Sequence, residues 1–186
     1  MGRFEILTSP LGGLFAITRS AHIDERGYFE RIFCETELAG LFGGNHIVQI
    51  NTSMTHASGA VRGMHFQYPP NAEKKLVSCL RGEIFDVAVD LRQKSPTFLQ
   101  WHAEVLSEKN HRALFIPEGF AHGFQTLTED CALLYAHTAP YAPQSEGAVN
   151  ATDPRIGILW PQPVSEISSR DKDHAFIGND FQGIAL

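Results

Sequence analysis

The feature that most constrains this chain is its punctuation: short apolar or alternating runs separated by turn formers, repeated along most of its length. Candidate strands are Phe4–Leu7, Leu14–Arg19, Tyr28–Phe33, His46–Thr52, Ala60–Phe66, Lys75–Leu80, Ile84–Asp90, Leu99–Leu106, Arg112–Ile116, His122–Leu127 and Ala132–Thr138. Gly12-Gly13, Pro69-Pro70, Arg81-Gly82, Ser95-Pro96, Pro117-Glu118-Gly119 and Pro140 interrupt them. Many short strands with regular turns predict an antiparallel β-sandwich or barrel. Only Glu35–Phe42 reads as a helix, and from Pro143 onward the chain predicts an irregular tail lying across the barrel.

A chain of 186 residues is about one domain long, so residues 1–186 are expected to form a single unit. Folded so, it buries roughly 70% of its extended-chain surface and needs neither disulfide nor metal for stability. The net charge of −6 comes without a basic cluster, which argues against binding duplex nucleic acid. No run approaches the ~18 apolar residues of a membrane span. The first residues lack a signal-peptide stretch, and Cys34, Cys79 and Cys131 are odd in number and widely spaced. Those features predict a cytoplasmic protein whose cysteines are small core residues.

The two-residue period of a strand says which side chains share a face. Phe85, Val87 and Val89 take one face of their strand, with Asp86 and Asp90 on the other. The two aspartates read as structural, pairing with Arg81 or Arg92 or facing solvent. Arg62 and His65 fall on opposite faces of a regular strand, so a shared site requires a bend, and Gly63 is where a bulge costs least.

Two segments carry the candidate chemistry: Arg62-Gly63-Met64-His65-Phe66-Gln67 and Ile116-Pro117-Glu118-Gly119-Phe120-Ala121-His122-Gly123-Phe124. The second contains Pro-x-Gly-x-x-His and resembles the second motif of cupins, double-stranded β-helix (jelly-roll) barrels. His65, Gln67 and His122 would make only a thin metal set, because transition metals favour sites richer in imidazole and carboxylate; no metal and no cofactor is expected. With Asp24–Phe29, Gln49–Asn51, Lys75–Val77, Asp86–Arg92, Tyr135, Pro143–Gly147, Asp153-Pro154, Gly157–Pro161 and Ile167–Asp171 in the same order, the chain resembles the dTDP-4-dehydrorhamnose 3,5-epimerase family from about Phe4 to Asp171.

That resemblance implies an all-β cupin enzyme, homodimeric and metal-free, that epimerises carbons beside the 4-keto group of a nucleotide-diphospho-6-deoxyhexose. It implies His65 as the base, Asp171 as the carboxylate orienting it, Lys75 as the cation beside the enolate oxygen and Tyr135 as the opposite-face proton donor. The chemistry suits these residues: imidazole exchanges protons near neutrality, and a phenol is protonated at pH 7. Arg26 and Arg62 match diphosphate-holding arginines, while Gln49, Asn51, His122, Glu146 and Arg170 match other ligand-contacting positions. Tyr141 is a candidate stacking residue.

Two positions depart from the family pattern: Arg31 stands at its usual acidic position, and Ala136 follows the tyrosine where lysine is common. His22, His46, His56, His102, His111, His137 and His174 read as ordinary core or surface hydrogen-bonders. Phe115, Phe120, Phe124 and Trp101 read as core, and Trp160-Pro161 as the anchor of the tail that carries Asp171. The alternatives to a two-centre epimerase are a single-site epimerase or 3,4-ketoisomerase, a metal-dependent cupin dioxygenase, or a non-catalytic sugar-nucleotide module.

Overall fold

The alternating runs fold as strands. A computed structural model describes residues 2–186 and contains β1 (Phe4–Thr8), β2 (Phe15–Arg19), β3 (His22–Asp24), β4 (Gly27–Phe29), β5 (Gln49–Thr55), β6 (Val61–Gln67), β7 (Lys75–Arg81), β8 (Glu83–Asp90), β9 (Trp101–Ser107), β10 (Arg112–Ile116), β11 (Phe120–Thr126), β12 (Cys131–His137) and β13 (Glu146–Ala148). Two α-helices, α1 (Glu35–Phe42) and the single turn α2 (Ser169–Lys172), and a short 3-10 turn at Pro143–Ser145 accompany them among the described residues. Among the described residues no helix is long and apolar enough to cross a membrane.

Eleven of the strands form two antiparallel sheets. One runs β1-β2-β10-β7-β12-β5 and the other β13-β6-β11-β8-β9; β3 and β4 pair only with each other. The layer between the sheets holds Val77 and Cys79 of β7, Leu133 of β12, Ile84 and Ala88 of β8, and Phe120 and Phe124 of β11. Each of those strands places every second side chain inward. The same inward rows also carry Lys75, Tyr135, Asp86 and His122, which makes part of the layer between the sheets polar.

Both outer faces are also covered. Leu38 and Phe42 of α1 pack on Ile17, Leu76, Ala113 and Phe115 of the six-stranded sheet. The chain after β13 lays Val149, Ala151, Ile156, Trp160 and Ile184 over Val61, Met64, Phe66, Val87 and Val89 of the other sheet. A methylene-rich layer of this kind is worth roughly 25 cal/mol per Å² removed from water, enough to hold a tail with little regular structure. The Trp160 indole N–H donates to Ala151 O at 2.9 Å and its ring lies edge-on to Phe85, an anchor of the tail as the sequence suggested.

Helix α1 occupies the residues expected of it, and most strands shift by only one to three positions. The run expected at Tyr28–Phe33 differs more. Only its first two residues are in a strand, because Glu30 turns inward to meet Arg19 Nε and His111 Nδ1 at 3.1 Å each. Strand β13 was hidden in the expected irregular tail. Three residues are too few to show a period, and Gly147 sits where a Cβ would lie 2.5 Å from the Phe66 ring.

The bulge expected at Gly63 is present. His122 pairs with His65 but Phe124 pairs with Arg62, so β6 takes three steps where β11 takes two. Gly63 has φ +133°, and a Cβ there would stand 2.5 Å from Gly123 Cα. Only glycine meets both conditions.

Candidate active site

Between the two sheets lies a cavity of about 420 Å³ lined by Asn51, Ser53, Arg62, His65, Lys75, His122, Tyr135 and His137. A smaller extension of about 150 Å³ continues past Gln49, Glu73, Tyr141 and Glu146. Asn51, His65, Lys75 and His137 border both, making one cleft.

His65 reaches the cleft from β6, just past the bulge. Its Nε2 lies 2.8 Å from Asp171 Oδ1, and Asp171 Oδ2 accepts from the Gly63 N–H at 3.1 Å. Asp171 arrives on α2, whose first turn is capped by Ser168 Oγ accepting from the Asp171 N–H at 3.0 Å. Burial works against a charge on Asp171, but the His65 and Gly63 hydrogen bonds outweigh it and hold the carboxyl below its usual range. An anionic Asp171 accepts a hydrogen bond from Nε2–H of His65, which leaves Nδ1 with the lone pair a base requires.

Tyr135 comes from β12, in the opposing sheet. Its Oη is 2.9 Å from Ser53 Oγ, and burial pushes the phenol up to about 12. It therefore carries its proton across the physiological range. Lys75, on neighbouring β7, is nearly buried; its Nζ donates to His65 O at 3.4 Å and pairs with Glu73 Oε1 at 3.3 Å.

Around this centre the other expected residues divide. Gln49, Asn51, Arg62, His122, Tyr141 and Glu146 all border the cleft. Gln49 Oε1 accepts from the Tyr141 N–H at 2.9 Å, and Arg62 donates to Thr55 Oγ1 at 3.2 Å. Tyr141 Oη donates to Glu146 Oε2 at 3.0 Å, and Arg170 pairs with the other carboxylate oxygen of Glu146, so Arg170 joins the rim through β13. Arg26 does not reach this cleft. It stands on the exposed β3–β4 hairpin, bound to Asp24 at 2.5 Å, with its side chain 83% exposed. Arg31, at the family's acidic position, pairs with Glu37 of α1.

One of the structural readings of the sequence needs correction. Asp90 does pair with Arg92, with Ser95 and Thr97 adding hydrogen bonds at 2.6 Å each, but Asp86 meets neither arginine nor solvent. It is fully buried with Oδ1 2.7 Å from His122 Nε2, while Oδ2 has no partner; burial raises its carboxyl, against the pull of His122. His137 is a buried hydrogen-bonder, as expected, and it also lines the cleft, with Nδ1 2.8 Å from Glu73 Oε2. Glu73 and Ser53 escaped the sequence reading because each acts through a partner on a different strand.

The donor set weighed from sequence does not assemble. Gln67 spends its amide on Asn71 O, Pro140 O and the Ala142 N–H, and His122 is held by Asp86. Among the described residues, His65, Asp171 and His174 place donor atoms within 4.8 Å of one another. Two imidazoles and a carboxylate suit a transition metal, yet the first two already bind each other. His174 meets His65 edge-on.

A carboxylate-oriented imidazole and a protonated phenol facing each other inside a jelly-roll barrel define a cupin-type acid–base isomerase. The family model described as dTDP-4-dehydrorhamnose 3,5-epimerase matches residues 8–179, and the chain belongs to that family. It is 42% identical over 179 residues to the dTDP-4-dehydrorhamnose 3,5-epimerase of Methanothermobacter thermautotrophicus, covering 93% of each chain. It is 36% identical to a dTDP-4-dehydrorhamnose 3-epimerase of Streptomyces niveus, over 88% of this chain and 80% of that one. The crystal structure of a Legionella pneumophila 3,5-epimerase in complex with dTDP-4-keto-L-rhamnose superposes with a TM-score of 0.88 at 38% identity, covering 93% of this chain and 92% of the other.

Proposed function

We propose that this enzyme inverts C3 and C5 of a nucleotide-diphospho-4-keto-6-deoxyhexose through an enolate. The observation carrying the reading is that His65 and Tyr135 project from opposing sheets into the same cavity. His65 Nδ1 takes the proton from the carbon beside the ketone, the C–H electron pair moves into the enolate, and Lys75 faces the oxygen that gains charge. Tyr135 then protonates the other face of the carbon. Preorganised charge at the enolate is worth a few kcal/mol, and general acid–base catalysis about 10²–10⁴-fold. Arg62 and Arg170 supply the forked guanidinium groups suited to a diphosphate.

Proton NMR in D₂O with dTDP-4-keto-6-deoxyglucose tests the reading. Loss of both the C3 and C5 signals is expected. Loss of only one supports the single-centre reading, the activity named for the S. niveus relative; a carbonyl appearing at C3 identifies a ketoisomerase. No exchange with several such substrates overturns the catalytic reading.

The functional unit is a homodimer in this proposal. Strand β5 ends its sheet with an open edge and exposes Val48, Ile50 and Met54 beside it. The β3–β4 hairpin exposes Ile23, Tyr28 and Phe29. An open edge and two apolar patches are what a second copy covers. A hairpin crossing to the other protomer also gives Arg26 a cleft to serve. Sedimentation at the single-chain mass of 20.6 kDa at micromolar concentration overturns the dimer.

A further inference from the structure

Besides His65–Asp171 and His122–Asp86, the cleft contains a third carboxylate–imidazole pair, Glu73–His137, that the scheme above does not use. Glu73, immediately before β7, has a side chain only 8% exposed. A carboxylate in such a place costs several kcal/mol unless its oxygens are occupied by charged or hydrogen-bonding partners. Both are: Oε2 accepts from His137 Nδ1–H at 2.8 Å, and Oε1 lies 3.3 Å from Lys75 Nζ. Burial works against ionisation of Glu73, but these two partners outweigh it and hold the carboxyl below its usual range.

Each partner in turn touches one arm of the reaction. Lys75 donates to the backbone oxygen of His65, the base. The His137 ring stacks on Tyr135, the proton donor, with centroids 6.2 Å apart and planes 26° from parallel. His137 Nε2 lies 3.5 Å from Asn51 Nδ2, which closes the far side of the ring. His137 and Lys75 are direct neighbours across β12 and β7, so Glu73 spans a pair already set by strand register.

We propose that Glu73 is a positioning residue that holds Lys75 at the enolate oxygen and, through His137, Tyr135 on the face opposite His65. The inference rests on the epimerase reading and adds to it what decides the fate of the intermediate. Once the C–H bond has broken and its electron pair lies in the enolate, the carbon has two proton sources. Return of a proton from His65 restores the original centre. Delivery from Tyr135 gives the inverted one, after which the tyrosinate regains a proton from solvent and His65 releases its own. Misplacement of the phenol leaves the first outcome open and slows the second, so exchange separates from inversion.

The test compares deuterium incorporation with inversion in Glu73→Gln and His137→Gln, in the full chain and under single-turnover conditions. Glu73→Gln is close in shape but loses the charge held by both partners; inversion should fall about ten- to a hundredfold, the scale of a charged hydrogen bond, with KM little changed. His137→Gln keeps an amide facing Glu73 but removes the ring stacked on Tyr135. It should exchange the substrate proton at close to the parent rate while inverting it at least tenfold more slowly. A merely structural role would lower both rates together. An unchanged ratio of exchange to inversion in His137→Gln overturns the proposal even if Glu73→Gln fails to fold. A parent enzyme that neither exchanges nor inverts overturns the reaction itself, which is a different result.

Discussion

Asp171 and His65 are 106 residues apart in the chain and 2.8 Å apart in the cleft. The tail spans that gap on apolar anchors: Trp160 against Phe85, then Ile167 bridging to Val61 beside the bulge of β6. Only then does the Ser168 cap turn the chain so that Asp171 meets the imidazole. The His65–Asp171 pair is therefore assembled by packing on the outer face of the sheet whose inner face lines the cleft.

Asp171→Asn should leave the fold intact and lower turnover by about 10²-fold or more, within the range for general base catalysis, because an amide no longer favours the Nδ1 lone pair on His65. His65→Asn should abolish substrate exchange. Stopped-flow or NMR rates at one pH decide this; a residual rate within threefold of the parent in Asp171→Asn would show that the carboxylate does not orient the base.

Tyr135→Phe should continue to exchange the substrate proton while failing to invert the carbon. Because burial pushes the phenol up to about 12, its ionisation should not shape the rate below pH 10. A basic limb near neutrality that disappears in Tyr135→Phe would contradict this.

Acid stability should follow the depressed carboxylates. The ordinary values for aspartate and glutamate are 3.8 and 4.5, and Asp171, Asp90 and Glu73 all lie below them in the folded protein. Such groups stabilise the fold above the unfolded value, and the contribution is lost as pH falls through the folded one. Asp86 has the opposite sign: its raised carboxyl favours the fold at low pH and works against it as pH rises. Urea midpoints should therefore be level near neutrality and decline below about pH 4. Asp90→Asn should shrink that decline and Asp86→Asn should not.

Gly63→Ala should destabilise the protein by about 3–5 kcal/mol, combining positive-φ strain with backbone collision. Gly123→Ala should behave alike, because its Cβ would lie 2.5 Å from Met64 Sδ and 2.7 Å from Arg62 O. Denaturant unfolding measures both; a loss under 1 kcal/mol at either site would mean that the bulge can relax.

The periodicity of the chain was enough to call for two antiparallel layers, because which face a strand residue takes is a local property with period 2. It also placed α1 and identified Gly63 as the cheapest bend. The ordered motifs pointed to His65, Lys75, Tyr135 and Asp171, four residues the fold gathers at one cleft. Contacts between strands were not legible in the same way. That Asp86 faces His122 and that Glu73 joins Lys75 to His137 both depend on register between segments distant in sequence. A one-residue slip in register exchanges every facing partner while leaving the pattern along each strand unchanged. Register is settled by the close approach at Gly63 and Gly123 and by the packing of the tail, and those energies exist only once β6, β11 and the tail have come together.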